Sequence, residues 1–441
     1  MKNTTTIVSI AAMLVFGALS CVAMDRGSGG LSAGAAGVGG MGPQAVDGAA
    51  QVGGTPGAGE VTPASVGTSG TGGVPSGSGG TVAGLGGSTV LVGKGDGKFA
   101  GKKDYPTGND PRSVALGDLN GDGRLDIVTA NWGSGTVSVL LGTGDGRFDV
   151  KLDSAAGSNA NSVALGDLNG DGNLDVAVVN YYSNTVKVLL GAGNGKLGAA
   201  TEFMAGSDLF QLVLGDVNSD SKLDIVTANG DSGDVSVLLG TGDGRFAEAA
   251  HYAPAYGGFS VALGDLNGDG RLDMARVKGS SDEVSVLLGT GDGKFGAVLD
   301  YPTGPHPIFV TLGDLNGDGR LDIATADSSS DTVGVRLGMG DGTFAAKAGY
   351  ATGTYPSFVA PVDVSGDAKL DLIVVNTFAE SVSVLLGRGD GSFVAKVDYP
   401  TGKYPEAVAL GDVNGDGKLD LVVANSGSGT VSVLLGTGDG R

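Results

Sequence analysis

The sequence predicts an all-β protein, a seven-bladed β-propeller of 49-residue, four-stranded repeats preceded by a disordered tether. Two observations favour this fold. An acidic segment recurs at a constant interval (167 − 118 = 49), and every interval holds short β-rich runs without helical spacing. A constant period of this length is typical of propellers, solenoids and arrays. The segment starts at Asp118, Asp167, Asp216, Asp265, Asp314, Asp363 and Asp412.

Within the first repeat, four runs have the character of strands. Residues 113–116 lead into the acidic segment, residues 125–130 leave it, residues 136–141 run to a Gly-rich turn, and a fourth run starts near Phe148. These runs are short, partly alternating and rich in β-branched residues. Four antiparallel strands per repeat make one propeller blade. We name the strands A to D in chain order.

The arithmetic of the repeat favours a closed ring. Residues 99–441 number 441 − 99 + 1 = 343, which is seven times 49. Residues 99–107 can therefore supply strand D of the last blade, which removes the open edges of a linear stack. An open solenoid is the alternative. Residues 88–97 resemble an eighth strand C that would compete with residues 431–440 for one slot, and the sequence does not decide between them.

The first 87 residues are predicted to be targeting and tether segments. An apolar run after Lys2, from Ile7 to Leu19, is too short to span a bilayer comfortably, so residues 1–21 are a predicted signal peptide. Cys21, the only cysteine, gives this peptide a lipobox-like end and predicts a lipid anchor; an ordinary secretory signal is the alternative. Residues 22–87, rich in Gly, Ser, Ala and Thr, predict a flexible linker before the propeller at 88–441. We expect a surface lipoprotein of the cell envelope or outer membrane, or a secreted protein, without a transmembrane span.

The seven acidic loops carry the predicted chemistry. Side-chain oxygens at loop positions 1, 3, 5 and 9 and the backbone carbonyl of position 7 can converge on one cation, and such donors in a flexible loop suit Ca²⁺ better than Mg²⁺. The predicted ligands are Asp118, Asn120, Asp122, Arg124 and Asp126; Asp167, Asn169, Asp171, Asn173 and Asp175; Asp216, Asn218, Asp220, Lys222 and Asp224; Asp265, Asn267, Asp269, Arg271 and Asp273; Asp314, Asn316, Asp318, Arg320 and Asp322; Asp363, Ser365, Asp367, Lys369 and Asp371; and Asp412, Asn414, Asp416, Lys418 and Asp420.

Charge and glycine placement set expectations for these loops. The formal net charge is −21, and 3 × 7 = 21 Asp occupy positions 1, 5 and 9, so up to seven Ca²⁺ would bring the charge to −7. Asp-capped turns without metal are the alternative, although three unneutralised carboxylates per loop would repel one another. Loops 216–224 and 363–371 carry Ser221 and Ala368 at position 6, where the other loops have Gly. A side chain in the left-handed region costs about 1–2 kcal/mol, so these sites are predicted to bind calcium most weakly.

The loop pattern resembles a known family. Position 12 of the first loop is Thr129 rather than the Glu of an EF-hand, and strands flank the loop. This arrangement, preceded by Gly117, is similar to the calcium loops of FG-GAP/VCBS repeats, which occur in the integrin α-subunit propeller and in bacterial exported proteins. The resemblance covers residues 88–441. It implies calcium binding, an integrin-like propeller, and ligand binding on the face opposite the calcium loops.

That opposite face is the predicted partner surface, for an unknown protein or glycan. Its B–C and D–A loops vary between repeats and carry aromatic residues, which often anchor ligands; neutral drift with packing between blades is the alternative. The high negative charge excludes nucleic acid as a partner. The aromatic or imidazole residues of this face are Trp132, Tyr181, Tyr182, Phe210, Tyr256, Phe259, His306, Phe309, Tyr355, Phe358, Phe378 and Tyr404.

The sequence predicts a binding protein rather than an enzyme. The only histidines, His251 and His306, lie in variable segments, and no catalytic residues or catalytic motif are predicted. The main hypothesis is a calcium-dependent recognition or adhesion module at the cell surface. A carbohydrate-binding or polysaccharide-active propeller, lectin-like or lyase-like, is the alternative, and a purely structural envelope protein is the third possibility.

Overall fold

A computed structural model describes residues 95–230, 232–252 and 258–438, all within one compact unit. It confirms the all-β propeller with seven four-stranded blades. The predicted signal peptide, Cys21, the linker and residues 88–94 lie outside the described residues. Among the described residues, no helix has the length and apolar character needed to cross a membrane.

Each blade is an antiparallel meander whose first two strands lie nearest the axis. The first strands are β3 (Pro111–Gly117), β7 (Ala160–Gly166), β11 (Leu209–Gly215), β15 (Gly258–Gly264), β19 (Pro307–Gly313), β23 (Pro356–Val362) and β27 (Pro405–Gly411). The second strands are β4 (Asp126–Asn131), β8 (Asp175–Asn180), β12 (Asp224–Asn229), β16 (Asp273–Lys278), β20 (Asp322–Asp327), β24 (Asp371–Asn376) and β28 (Asp420–Asn425).

The remaining strands complete the blades toward the outside. The third strands are β5 (Thr136–Gly142), β9 (Thr185–Leu189), β13 (Val235–Leu238), β17 (Glu283–Gly289), β21 (Thr332–Arg336), β25 (Ser381–Leu385) and β29 (Thr430–Leu434). The outer strands of blades 1 to 6 are β6 (Phe148–Ala155), β10 (Thr201–Met204), β14 (Ala250–Tyr252), β18 (Phe295–Pro302), β22 (Ala348–Ala351) and β26 (Val397–Pro400), and β2 (Lys103–Pro106) is the outer strand of blade 7. A separate short pair consists of β1 (Lys98–Phe99) and β30 (Gly436–Thr437).

The hydrophobic core lies between neighbouring blades. Consecutive first strands contact one another around the axis, and β27 contacts β3, which closes the ring. Every residue of each second strand is buried, because a neighbouring blade covers each face. At the closing interface, Leu116 and Ile127 of blade 1 pack with Val422 and Ala424 of blade 7. This packing explains why the strand sequences are apolar on both faces.

The N-terminal strand closes the last blade, as the repeat arithmetic predicts. Strand β2 pairs with β29, with Tyr105 opposite Val431. Strand β29 therefore fills the strand C slot of blade 7. The turn that follows is divided between the two ends of the chain, since β1 pairs with β30 and the Asp96 amide donates to the Thr437 carbonyl at 3.5 Å.

Aromatic pairs join the outer strands to the next blade. Tyr301 packs edge-on against Phe344, with ring centroids 5.4 Å apart, and the Tyr301 hydroxyl donates to the Gly342 carbonyl at 3.4 Å. The equivalent ring pairs are Tyr105–Phe148, Phe203–Phe246, Tyr252–Phe295, Tyr350–Phe393 and Tyr399–Phe99. The last pair joins N-terminal Phe99 to blade 6, so the closing segment reproduces the contact made elsewhere within the repeats.

Candidate functional site

Each acidic loop is folded around the carboxylate at its first position. In the first loop, Asp118 accepts the Gly121 amide through Oδ1 and the Gly123 amide through Oδ2, both at 2.7 Å. The Asn120 side chain accepts the Asp122 amide at 2.9 Å, and Asp122 Oδ1 accepts the Arg124 amide at 3.0 Å. Side chains at positions 1, 3 and 5 therefore all turn into the loop that the sequence predicted.

The carboxylate at position 9 links two parts of its blade. Asp126 is fully buried; its Oδ2 accepts the Leu119 amide at 2.9 Å and its Oδ1 accepts the Gly142 amide at 2.8 Å. The second of these contacts recurs in every blade, from Gly191, Gly240, Gly289, Gly338, Gly387 and Gly436. Position 9 thus ties the acidic loop to the end of the third strand.

Burial raises the pKa of these position-9 carboxylates. Desolvation raises the pKa of Asp126 to about 6, although the two hydrogen bonds that it accepts from backbone amides lower the pKa. The nearby carboxylates of Asp122 and Asp118 add to the rise. Burial also raises the pKa of Asp224, Asp322 and Asp371 to about 6, that of Asp420 to about 7, and those of Asp175 and Asp273. The largest contributions to the pKa of Asp126 come from burial, two amide hydrogen bonds and the two neighbouring carboxylates, so the loop fits a bound positive charge.

The donor set fits a hard cation in its chemistry. All predicted side-chain ligands offer oxygen atoms. Asp118 Oδ1 already accepts hydrogen bonds from three backbone amides, whereas Asp118 Oδ2 accepts only one and retains a further lone pair. Within residues 95–230, 232–252 and 258–438, however, no three Asp, Glu, His or Cys side chains are grouped closely enough to hold a metal ion as they stand. In several loops the position-7 side chain lies near the position-5 carboxylate instead, for example Lys369 Nζ at 2.9 Å from Asp367.

The two divergent loops adopt the left-handed backbone without glycine at position 6. In the regular loops, positions 4 and 6 have positive φ, as at Gly121 and Gly123. Ser219, Ser221 and Ala368 hold the same conformation with φ of 60°, 67° and 64°. The backbone strain that the sequence predicted for loops 216–224 and 363–371 is therefore present, and their weaker calcium binding stays a prediction.

Exchanging residues at position 6 should measure this strain. We expect Ala368→Gly and Ser221→Gly each to raise the free energy of unfolding by about 1 kcal/mol, and Gly123→Ala to lower it by a similar amount. A Cβ at Gly123 would meet no atom within 4 Å, so its cost is conformational. Chemical denaturation measures all three. Gly101→Ala is the matched control, because a Cβ there is equally free and φ is not positive; an equal loss at Gly101 would contradict the explanation.

Turns of the next blade pack on the acidic loops. The Gly195 amide of blade 2 donates to the Leu119 carbonyl of the first loop at 2.9 Å, and the Gly244, Gly293, Gly342 and Gly391 amides make the same contact farther along. The acidic loops and Gly-rich turns therefore lie together on one face, as the strand order predicts. We call this the calcium-loop face.

The B–C and D–A loops meet on the opposite face. The Trp132 amide donates to the Asp110 carbonyl at 2.8 Å, and equivalent bonds join Tyr181 to Asn159 and Ser426 to Tyr404. Five rings on this face form a chain of contacts across blades 1 to 5, which we call the aromatic arc. Its members are Trp132, Tyr181, Phe210, Phe259 and His306. In this order, the centroids of successive rings are 5.3, 5.0, 4.7 and 5.7 Å apart.

Three further rings form what we call the aromatic corner. Tyr355 lies 4.5 Å from Phe378, and Phe378 lies 6.3 Å from Tyr404 with the ring planes at 84°. Phe378 and Tyr404 are exposed. Tyr355 and Tyr404 have φ of 59° and 50°, and His306 has 52°, which is uncommon for bulky residues. The Tyr355 amide is held by Asp331 Oδ1 at 2.9 Å.

A polar sector separates the two groups of rings. Arg112 stacks over Trp132, with Cζ 3.9 Å from the ring centroid, and its Nε and Nη2 donate to Asp110 at 3.3 Å. Glu406 Oε1 accepts the Ser426 hydroxyl at 3.2 Å. Burial raises the pKa of Glu406 to about 7, against the opposing effect of Arg112. The polar sector consists of Asp110, Arg112, Glu406 and Ser426.

The placement of some predicted face residues was wrong. Phe309 and Phe358 lie in strands β19 and β23 and pack on each other, with centroids 4.1 Å apart, against inter-blade clusters. Phe210 and Phe259 also belong to first strands, but reach the face because a bulge near the start of these strands displaces them. Tyr256 lies outside the described residues. Tyr182, predicted on this face, is 68% exposed and contacts Trp132 at 5.8 Å.

Sequence reasoning missed Arg112 and Glu406. These residues occupy the same repeat position, since 406 − 112 = 294, which is six times 49. A comparison of that position across repeats, which holds Arg, Asn, Phe, Phe, Ile, Ser and Glu, would have shown that it differs in nearly every blade. Asp110, Ser426 and Ser328 were missed as well; the Ser328 hydroxyl lies 2.8 Å from His306 Nδ1.

Comparisons with solved structures show the fold. BBS1N in complex with ARL6DN shares 12% identity over 77% of this chain and 97% of that chain, with a TM-score of 0.57. Streptogramin B lyase shares 13% over 76% and 97%, with a TM-score of 0.54. An Agrocybe aegerita protein, described as recognising non-reducing terminal N-acetylglucosamine, shares 21% over 73% and 87%, with a TM-score of 0.49. No curated protein matches the chain.

The repeats themselves identify the family. The model of the FG-GAP-like repeat matches seven overlapping segments, which are residues 81–129, 118–178, 167–227, 216–276, 274–325, 314–374 and 363–423. All seven matches end at the same position after an acidic loop, five of them begin at the first Asp of a loop, and together they include every acidic loop. This chain belongs to the FG-GAP-like repeat family and folds as its seven-bladed β-propeller.

Proposed function

We propose that this chain is a calcium-stabilised recognition module, lipid-anchored at Cys21 on the cell surface or secreted, and that it binds a ligand without transforming it. The observation that carries the calcium part is the position-9 carboxylate. Asp126 is fully buried, and Asp118 and Asp122 beside it add to the rise of its pKa. An uncompensated buried carboxylate is costly unless a cation joins it.

The residues that would hold the ion follow from the loop. In the first loop these are Asp118, Asn120, Asp122, the Arg124 carbonyl and Asp126. A bound Ca²⁺ supplies positive charge that offsets the repulsion among the carboxylates. The chain's own residues position the donors: the Gly121 and Gly123 amides orient Asp118, and the Leu119 and Gly142 amides fix Asp126. Each ion would then tie its loop to the end of strand C in the same blade.

The two faces support separate roles. The acidic loops and glycine turns repeat with the same contacts in nearly every blade, which suits a structural task. The opposite face differs from blade to blade, carries the exposed Tyr182, Phe378 and Tyr404, and holds three bulky residues at positive φ. Strain of this kind is retained where the surroundings enforce it, and it concentrates at functional sites. We therefore place ligand recognition on the opposite face.

A titration of the full chain tests the calcium part of the proposal. The melting temperature should rise on adding CaCl₂ to chelator-treated protein and should not rise equally with MgCl₂. Asp314→Asn, in a regular loop, should reduce the bound calcium measured by calorimetry by one site. Asp292→Asn, in a Gly-rich turn of the same face, is the control and should leave the number of sites unchanged. An unchanged melting temperature in calcium would refute the proposal.

Carbohydrate binding between blades is a second candidate function. An open pocket lies between blades 2 and 3 and is lined by Leu190, Thr201, Phe203 and residues 243–245. It combines an aromatic ring with the Asp243 carboxylate and the Arg245 guanidinium, a mixture that can contact both the apolar face and the hydroxyls of a sugar. Phe203→Ala should abolish sugar binding at this pocket, as measured by saturation-transfer NMR. Formation of unsaturated sugar products would instead indicate a lyase.

A further inference from the structure

The aromatic arc, the aromatic corner and the polar sector follow one another in a ring around the opposite face. His306, at the end of the arc, contacts the Ser328 hydroxyl, which also bonds Tyr355 of the corner. At the other end of the corner, the Tyr404 carbonyl accepts the Ser426 hydroxyl at 3.0 Å, and Ser426 also bonds Glu406. Glu406 interacts with Arg112, which stacks on Trp132 at the start of the arc. We call this ring the collar.

The collar draws on all seven blades but does not follow their repeat. Its rings come from B–C loops in blades 1, 2 and 6, from D–A loops before blades 5, 6 and 7, and from first strands in blades 3 and 4. Independent drift of seven loops gives no reason for such different positions to supply one series of neighbouring aromatic and polar side chains. The positive φ of His306, Tyr355 and Tyr404 adds a conformational cost to presenting three of its members.

We propose that the collar is a binding site for an uncharged saccharide, which stacks on the Phe378 and Tyr404 rings and hydrogen-bonds to the polar sector. This inference rests on the proposed recognition function and names the ligand class for that face. The two rings meet at 84° and are 46% and 41% exposed, so they present apolar surface for the C–H face of a pyranose. Glu406, Ser426 and Arg112 supply acceptors and donors beside them.

The charges around the rings disfavour an ionic ligand of either sign. An anion would approach Asp110 and Glu406 on a chain whose formal net charge is −21. Arg112 does not offset them freely, because it is already bonded to Asp110 and stacked on Trp132. A cation would approach Arg112 and the exposed Lys403, which directly precedes Tyr404. The raised pKa of Glu406 agrees with a sector that carries little net charge near neutral pH.

The test uses the full chain in calcium and measures binding of β-1,4-linked trisaccharides by calorimetry and saturation-transfer NMR. The neutral probes are trimers of glucose, mannose and galactose; the charged probes are trimers of glucosamine and glucuronic acid. We expect at least one neutral trimer to bind more tightly than both charged trimers. Phe378→Ala and Tyr404→Ala should each weaken its binding by about tenfold.

Control variants locate the site. Met204→Ala removes an exposed apolar side chain outside the collar and should leave the affinity unchanged. Phe203→Ala reports any binding in the separate pocket between blades 2 and 3. The conservative substitution Tyr404→Phe keeps the aromatic ring and should retain most of the affinity. A loss of affinity in Tyr404→Ala but not in Tyr404→Phe would therefore come from the missing ring rather than from misfolding. Circular dichroism and the calcium-dependent melting temperature report folding for every variant.

The outcomes divide clearly. Binding of a neutral trimer that depends on Phe378 and Tyr404 supports the inference. Absence of binding by every trimer, tighter binding of a charged trimer, or binding lost only in Phe203→Ala would overturn it. A calcium-dependent melting temperature accompanied by any of these results would leave the calcium part of the proposed function intact, so the two failures are distinguishable.

Discussion

Removing calcium should lower the melting temperature of the full chain, and the loss should grow as pH rises from about 4 to about 7. In the metal-free protein, burial raises the pKa of Asp126 from 3.8 to about 6 and that of Asp420 to about 7. The folded state therefore binds more protons than the unfolded state in this range, and its stability falls as these groups ionise. For each unit by which folding raises the pKa of one carboxylate, ionisation of that group lowers the free energy of unfolding by about 1.4 kcal/mol. Differential scanning calorimetry in chelator at a series of pH values measures it.

Calcium should remove this pH dependence in the same range. A bound cation favours the ionised carboxylates, so calcium binding releases protons and becomes tighter as pH rises. The melting temperature in saturating calcium should therefore not fall between pH 5 and pH 7, to within about a degree. The matched control is Asp420→Asn, which removes the group with the highest of these pKa values and should make the chelator curve shallower. Equal pH dependence with and without calcium would contradict the role assigned to position 9.

Removing the N-terminal closing strand should destabilise the propeller more than any single substitution described above. A chain that begins at Thr107 lacks β1 and β2, and with them Phe99 and Tyr105, both at least 91% buried. It also loses the ring pairs Tyr105–Phe148 and Phe99–Tyr399 and leaves β29 with an unpaired edge. Loss of a large buried aromatic side chain costs about 3–5 kcal/mol, so we expect the melting temperature to fall on the order of 10 °C or more.

A chain that begins at Gly95 is the matched control for this truncation. It lacks the same preceding 94 residues but keeps both closing strands, and it should melt within a few degrees of the full chain. Size-exclusion chromatography would also detect association through the exposed edge of β29 in the shorter chain. Equal melting temperatures for chains beginning at 95 and at 107 would show that the ring does not depend on β2.

Most of the fold could be predicted because all seven blades have nearly the same sequence pattern. The period of 49 residues, the Asp-rich loop and the β-branched runs fix strand order and blade number, and the offset start at Phe99 predicts closure by the N-terminal strand. The family match and the pairing of β2 with β29 confirm these predictions. The sequence did not decide which of two segments forms strand C of blade 7, because residues 88–97 and 431–440 have equivalent patterns.

The candidate sites were predictable to different degrees. Loop positions 1 to 9 are local, so spacing alone could assign donors such as Asp118 and Asn120. The two hydrogen bonds that Asp126 accepts from backbone amides were not predictable, because one donor, Gly142, is sixteen residues away in the sequence. The pKa of Asp126 was not predictable either, because it depends on burial. The collar was harder still. Arg112 and Glu406 lie in β3 and β27, which become neighbours only when the ring closes. Aromatic residues alone could not distinguish Phe378 on the face from Phe358 between blades.

The division of the closing turn between the chain ends has a mechanical consequence. Strand β2 runs from Lys103, opposite Val433 near the calcium-loop face, to Pro106, opposite Thr430; the next amide, of Thr107, donates to the Gly429 carbonyl on the collar face. If residue 95 is pulled while a ligand holds the collar, the force acts along strand β2. All the hydrogen bonds between β2 and β29 are then loaded at the same time, in shear. A pull applied between residues 95 and 438, which lie next to the β1–β30 pair, would instead break the bonds in succession. Single-molecule stretching in the two geometries should therefore give a higher opening force for the first.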